Sequence, residues 1–246
     1  MEYNLFKNDK LKTSYGNINM INNSVEDGPL LLLLHGLGAT YSVWSKMEPL
    51  INENIHICAI DLLGHGDSDR PNIKYDIIIQ SNIVSEVIKS IRDTYDTKSN
   101  FLMGNSYGAW VAAYNAMSNN LSGIILEDMA GFAGFFSDKS QSELKAYKDA
   151  LLGSVLLMNS NSENVISSII NSDIPSNILD CTALSKINSK VEIIWGREDK
   201  ILNCKYAHMI SECINGSHVD IIENAGHAPH YSKAHEVSSI VNKFIS

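Results

Sequence analysis

The pentapeptide Gly104-Asn105-Ser106-Tyr107-Gly108 restricts the fold of this chain more than any other stretch. A serine framed by glycines two residues to either side is what a sharp strand-to-helix turn requires. The serine takes an unfavourable backbone conformation with its hydroxyl exposed, and side chains at the flanking positions would collide with neighbouring backbone. The context agrees. Asn100 to Met103 reads as a short buried strand, and Tyr107 to Met117 reads as a helix with Ala109, Ala112, Ala113 and Ala116 for close packing. Ser106 is therefore a candidate nucleophile.

The rest of the chain alternates short apolar runs with amphipathic helical stretches, the pattern of a mostly parallel sheet covered by helices on both faces. A hairpin is predicted over Leu11 to Asn22, with Gly16-Asn17 at its centre. Buried strands follow at Leu30 to Leu34, His56 to Ile60, Asn100 to Met103, Gly123 to Leu126, Val191 to Trp195 and His218 to Ile222. Helices fit at Tyr41 to Ile51, Tyr75 to Tyr95, Tyr107 to Met117, Cys204 to Cys213 and Lys233 to Ile245. The strand rhythm stops once, between Ala130 and Lys190. There Gln141 to Leu157 and Glu163 to Ile170 read as helices followed by a break at Ile174-Pro175. Residues 1–130 and 190–246 thus form one core domain, and 131–189 form a helical cap inserted after the sixth strand. Phe132, Phe135, Phe136, Tyr147, Leu156 and Met158 of the insertion are expected to pack the cap onto the core and in part to line an apolar pocket.

Charge and composition exclude other classes. A net charge of -9, with Lys and Arg scattered, is unsuited to holding nucleic acid. The polar N-terminus lacks a signal region and the longest apolar run, Leu30 to Leu34, is too short for a membrane span, so a cytoplasmic protein, monomeric or homodimeric, is expected. Cys58, Cys181, Cys204 and Cys213 show no CxxC spacing and read as buried free thiols with no metal site.

A serine hydroxyl needs a base within hydrogen-bond reach and an acid that fixes the base's tautomer. Asp199 lies just past the strand ending at Trp195, at the sheet end where sites form in open α/β sheets, and His227 follows the last strand in the same way. The chain order Ser106, Asp199, His227 differs from that of other serine hydrolase architectures. Asp128, just after the sixth strand, is a rival for the acid. The remaining histidines, His35, His56, His208, His218 and His235, read as hydrogen-bonded core or surface groups, with His230 as a support for the His227 loop. An oxyanion needs two backbone N–H donors. The loop His35-Gly36-Leu37-Gly38 offers Leu37 N–H, and the start of the helix after the serine offers Tyr107 N–H.

Four segments, His35-Gly36-Leu37-Gly38, Asp61-Leu62-Leu63-Gly64-His65-Gly66-Asp67-Ser68, Gly104-Asn105-Ser106-Tyr107-Gly108 and Gly226-His227-Ala228-Pro229-His230, carry a resemblance to the α/β-hydrolase superfamily. The chain is similar over nearly its whole length to the group with a small helical cap that includes carboxylesterases and carbon-carbon bond hydrolases. The resemblance implies an α/β-hydrolase fold with an eight-stranded, mostly parallel sheet, and a structural turn at Asp61 and His65. Two positions depart from the usual pattern: Ala109 stands where many members have a second glycine, and Ser232 where many have a glutamate. The implied chemistry is acyl transfer from a small-molecule carboxylic ester to water through an acyl-enzyme, needing no cofactor. Thioesters, lactones, aminopeptidase substrates and carbon-carbon bonds are alternatives on the same triad, and a ligand receptor of this fold is the non-enzymatic one. Against the carbon-carbon reading, Lys139, Lys145, Lys148 and Lys186 share no inward face in the sequence pattern. Glu143, Asp149 and Glu163 are the acids an aminopeptidase could use for a substrate amine.

Overall fold

The computed structural model describes residues 7–158, 161–172 and 177–246. The Ile174-Pro175 break falls outside them. β1 (Lys7–Thr13) and β2 (Gly16–Asn22) form the hairpin, then come β3 (Leu30–Leu34), β4 (His56–Ile60), α1 (Ile77–Tyr95), β5 (Asn100–Asn105), α2 (Tyr107–Ala116) and β6 (Gly123–Glu127). Among the described residues, four helices separate β6 from the next strand: α3 (Ala133–Ser137), α4 (Gln141–Leu156), α5 (Glu163–Ile170) and α6 (Cys181–Leu184). The chain closes with β7 (Lys190–Gly196), α7 (Lys205–Cys213), β8 (His218–Ile222), α8 (Pro229–Ser232) and α9 (Ala234–Ile245). The eight strands form one sheet in the order β1-β2-β4-β3-β5-β6-β7-β8, antiparallel through β4 and parallel from there to β8. This is the eight-stranded, mostly parallel sheet that the resemblance implies.

β3 shows why the strands read as unbroken apolar runs. Leu30, Leu32 and Leu34 face a core built with α1 and α2, while Leu31 and Leu33 face a second core that contains Trp44 and α9 residues Val237 and Val241. A strand covered on both faces has no polar side to alternate with. α1 starts where Asp76 accepts the Ile79 amide at 3.0 Å, and α4 starts in a capping box between Ser140 and Glu143.

Several expectations are corrected. The hairpin turns at Ser14-Tyr15, between the paired Thr13 and Gly16, and not at Gly16-Asn17. The segment from Tyr41 to Ile51 is not one helix but two 3-10 turns, Tyr41–Trp44 and Glu48–Leu50, the second carrying Pro49. The last helix begins at Ala234, preceded by α8. Cys181 and Cys213 are not free thiols: α6 and α7 bring them together as a disulfide with Cα atoms 4.7 Å apart. Cys58 is free and buried as expected, whereas Cys204 is free and only half-buried. Among the described residues, no helix is long and apolar enough to cross a membrane.

One buried group weakens the fold. Glu48 is buried in the second 3-10 turn, its Oε1 receives no hydrogen bond from a described group, and burial pushes its carboxyl from 4.5 up to about 7. In the unfolded chain the group ionises near 4.5, so between that pH and about 7 the folded state binds more protons. Stability therefore falls as pH rises through this window and is level above it. Glu48→Gln is expected to exceed wild type by up to about 3 kcal/mol in urea unfolding at pH 8 and to match it at pH 4. An equal difference at both pH values would refute this account.

Candidate active site

β5 ends in the glycine-framed turn and α2 starts immediately after it. Ser106 sits between them at φ 53° and ψ -111°, a left-handed conformation that costs a non-glycine residue of order 1–3 kcal/mol and persists only where the surroundings enforce it. They do so here through hydrogen bonds on both sides of the residue. The Ser106 amide donates to Glu127 O at 2.9 Å, and the Ser106 carbonyl accepts the amides of Trp110 and Ala130, each at 3.1 Å.

The structure brings the predicted partners to the same end of the sheet. His227 Nδ1 lies 2.7 Å from Asp199 Oδ2, a contact that fixes the ring and leaves Nε2 for proton transfer. Asp199 also accepts the amides of Ile201 at 2.7 Å and Leu202 at 3.0 Å through Oδ1. Burial raises the Asp199 carboxyl, but the hydrogen bond and charge of His227 and the two amides outweigh it, leaving the group below the ordinary carboxylate range. Asn105, next to the serine, donates from Nδ2 to His227 O at 3.0 Å and so ties the histidine loop to the turn. Asp128, the rival acid, lies beside Asp199 and accepts the Gly196 amide through Oδ1 at 3.1 Å.

The loop after β3 lies beside the serine: a Cβ built on Gly36 would be 3.5 Å from Ser106 Cβ. The loop is fixed by His35, whose Nδ1–H donates to Gly36 O at 2.7 Å and whose Nε2 accepts the Leu62 amide at 2.9 Å. Burial holds His35 near 4, below the usual 6.5, so the ring is neutral and supplies both roles. Leu37 and Tyr107 line the same cavity as Ser106 and His227. The segment from Asp61 to Ser68 acts as the structural turn, with Asp61 accepting the Tyr41 and Asp67 amides and Asn19 Nδ2 between 2.8 and 2.9 Å.

That cavity has a volume of about 500 Å³. Its far wall comes from the helices between β6 and β7: Phe135, Phe136, Leu144, Tyr147, Leu151 and Val155 face it, so most of the predicted aromatic set reaches the pocket. Phe132 is buried but does not line it. Of the four cap lysines Lys148 lines the cavity and Lys139, Lys145 and Lys186 do not, so they share no inward face. Lys139 instead lies over the Phe135 ring and Lys145 pairs with Asp149. Glu143, Asp149 and Glu163 are all exposed and away from the lining.

Sequence reasoning missed a second buried acid–imidazole pair. His230 Nδ1 lies 2.5 Å from Glu127 Oε2, and its amide donates to Glu127 Oε1 at 2.7 Å. Trp44 covers the His230 ring at 4.3 Å between centroids. The pair fastens the loop that carries His227 to the end of β6, where the Glu127 carbonyl also accepts the Ser106 amide. The sequence suggests the supporting place of His230 but not its partner, a glutamate at a strand end 103 residues away.

Three comparisons bear on this geometry. The model of the alpha/beta hydrolase family matches residues 31–162. Monoacylglycerol lipase abhd6-B of Xenopus laevis is 23% identical over 89% of this chain and 75% of its own length. Among solved structures, a serine hydrolase involved in carbazole degradation aligns with a TM-score of 0.79 at 17% identity, over 97% of this chain and 98% of that one. An N-acyl homoserine lactone degrading enzyme aligns with a TM-score of 0.79 at 18% identity, over 96% of this chain and all of that one.

Proposed function

The chain belongs to the alpha/beta hydrolase family, and on that premise we propose that it is a serine hydrolase that cleaves carboxylic esters with apolar acyl groups. The observation that carries this reading is the Asp199–His227 contact at the edge of an apolar cavity that also exposes the strained Ser106. Ser106 Oγ attacks the ester carbonyl while His227 Nε2 takes its proton, and Asp199 stabilises the imidazolium. The carbonyl oxygen becomes an oxyanion received by the Leu37 and Tyr107 N–H groups. Collapse of the tetrahedral intermediate breaks the ester C–O bond, His227 returns the proton to the leaving alcohol, and water then repeats the sequence to release the acid. No step needs a cofactor. Residues 131–189 act as the cap that closes the acyl pocket over this centre.

The activities named for its relatives, a monoacylglycerol lipase and a lactone-degrading enzyme among them, agree with acyl transfer to water. The aminopeptidase reading loses its support because none of its three acids reaches the cavity. Lys148 in the lining favours one second reading, a substrate whose acyl part carries a carboxylate, as carbon-carbon bond hydrolases require.

A series of p-nitrophenyl esters tests the proposal. If the cavity takes the acyl chain, kcat/KM is expected to rise by about fourfold for each added CH₂, which is ~0.8 kcal/mol of burial, until the cavity is full. A flat series would remove the apolar acyl assignment, and absence of any Ser106-dependent product burst would turn the reading toward a receptor. A preference for ω-carboxylated over neutral esters, lost in Lys148→Met, would select the second reading.

A further inference from the structure

A third carboxyl stands beside the acid–base pair, and the mechanism above gives it no task. Asp128 is the first residue past β6, held at φ 45° and fully buried. Its Oδ1 accepts the Gly196 amide, while its Oδ2 is buried and receives no hydrogen bond from a described group. A carboxyl oxygen of Asp128, one of Asp199 and a ring nitrogen of His227 all lie within 4.8 Å of one another. From the end of the neighbouring strand, Asp128 therefore stands beside the acid and within 4.8 Å of the base.

Two carboxylates this close in a buried site cannot both ionise, so one of them must hold a proton. Asp199 has the better claim to the charge, since it accepts from His227 and from two amides. The proton then rests on Asp128, whose carboxyl is held well above the ordinary range, first by burial and then by the charges of Glu127 and Asp199. The other titratable groups around the cluster are His227 and Tyr147, whose phenol is pushed up to about 12 by burial and by Asp199. Glu127 is already engaged by His230. A neutral Asp128 has an O–H to donate, and Asp199 is the acceptor beside it.

We propose that Asp128 is a positioning residue whose carboxyl buttresses Asp199 against His227, and that it stands in as the partner of His227 when Asp199 is removed. No proton is gained or lost through it during turnover in the intact enzyme. The proton on Asp128 stays in place while His227 shuttles that of Ser106. The proposal rests on the serine hydrolase reading.

The test is steady-state kinetics of the full chain on p-nitrophenyl butyrate, with circular dichroism and a thermal melt for each variant. Asp128→Asn keeps a donor toward Asp199 but cannot ionise, and kcat is expected within about threefold of wild type. Asp128→Ala loses the donor, and kcat is expected to fall about tenfold with KM unchanged. Asp199→Asn is expected to keep about one per cent of kcat through Asp128. The double variant Asp128→Asn/Asp199→Asn should fall about a further hundredfold, to the level of His227→Ala. The Asn variants are isosteric, so the comparison survives if Asp128→Ala does not fold. A double variant as active as Asp199→Asn alone overturns the stand-in role, and a folded Asp128→Ala with wild-type kcat overturns the buttress. If Ser106→Ala retains activity, the serine hydrolase reading has failed instead, and the two failures are thereby distinguished.

Discussion

Replacing Ser106 by alanine is expected to lower p-nitrophenyl ester turnover by roughly four to six orders of magnitude while leaving the melting temperature nearly unchanged. The size of the loss follows from how the site is wired. In the proposed mechanism His227 and Asp199 supply a base and its orienting charge, and neither has a task once the hydroxyl is gone, so nucleophile and base fail together. The oxyanion amides and the apolar pocket survive the change, which is why the residual rate should still exceed that of water alone. Stability should hold because alanine keeps the Cβ and the backbone contacts that impose the left-handed turn: the Ser106 amide to Glu127 O and the Ser106 carbonyl to Trp110 and Ala130. Steady-state kinetics beside labelling with a fluorophosphonate probe would check it, since the variant should lose the label and the rate together. A folded variant with more than about a tenth of wild-type activity would sink the assignment of Ser106.

The strands and the turn were legible in the sequence because local chemistry determines them. β3 and β4 fall within the bounds that their apolar runs predict, since both are covered on each face and buried throughout, whereas β8 keeps its predicted bounds but, as an edge strand, is buried only at Ile222. Asp199 and His227 could be chosen from many acids and histidines because each follows a strand at the functional end of the sheet. What stayed hidden depends on contacts between distant segments. The Cys181–Cys213 disulfide spans 32 residues with no spacing signature, and only the packing of α6 against α7 brings the sulfurs together. The same holds for Glu127 with His230, and for Lys148, whose place in the cavity wall depends on how α4 lies over the sheet. The stretch from Tyr41 to Ile51 misled for a local reason: its periodicity suits a helix, but Pro49 lacks the N–H that a continuous helix would use, and two short turns form in its place.

Gly108→Ala is expected to cost at least about 3 kcal/mol of stability, seen as a melting temperature lower by roughly 6–12 °C, and to take most of the activity with it. A Cβ on Gly108 would lie 2.1 Å from Leu34 O, 2.6 Å from Leu34 C and 2.7 Å from His35 O. All three are backbone atoms at the end of the central strand, so no side chain can swing away to make room. Relief has to come from moving the start of α2 away from the β3 loop. Those two elements carry Tyr107 and Leu37, the proposed oxyanion donors, and losing the alignment of one such donor typically costs about 10²–10³ in kcat. A single methyl group should thus act on stability and on chemistry through the same displacement, with kcat falling while substrate still enters the unchanged cap side of the pocket. Gly153→Ala supplies the contrast: that glycine lies inside α4, nothing stands within 4 Å of the place a Cβ would take, and alanine there should stabilise the helix by up to about 1 kcal/mol without changing kcat. Thermal melts and kinetics on the two variants decide the matter. A Gly108→Ala protein that melts and turns over like Gly153→Ala would mean that the turn does not need the close approach that its glycines permit.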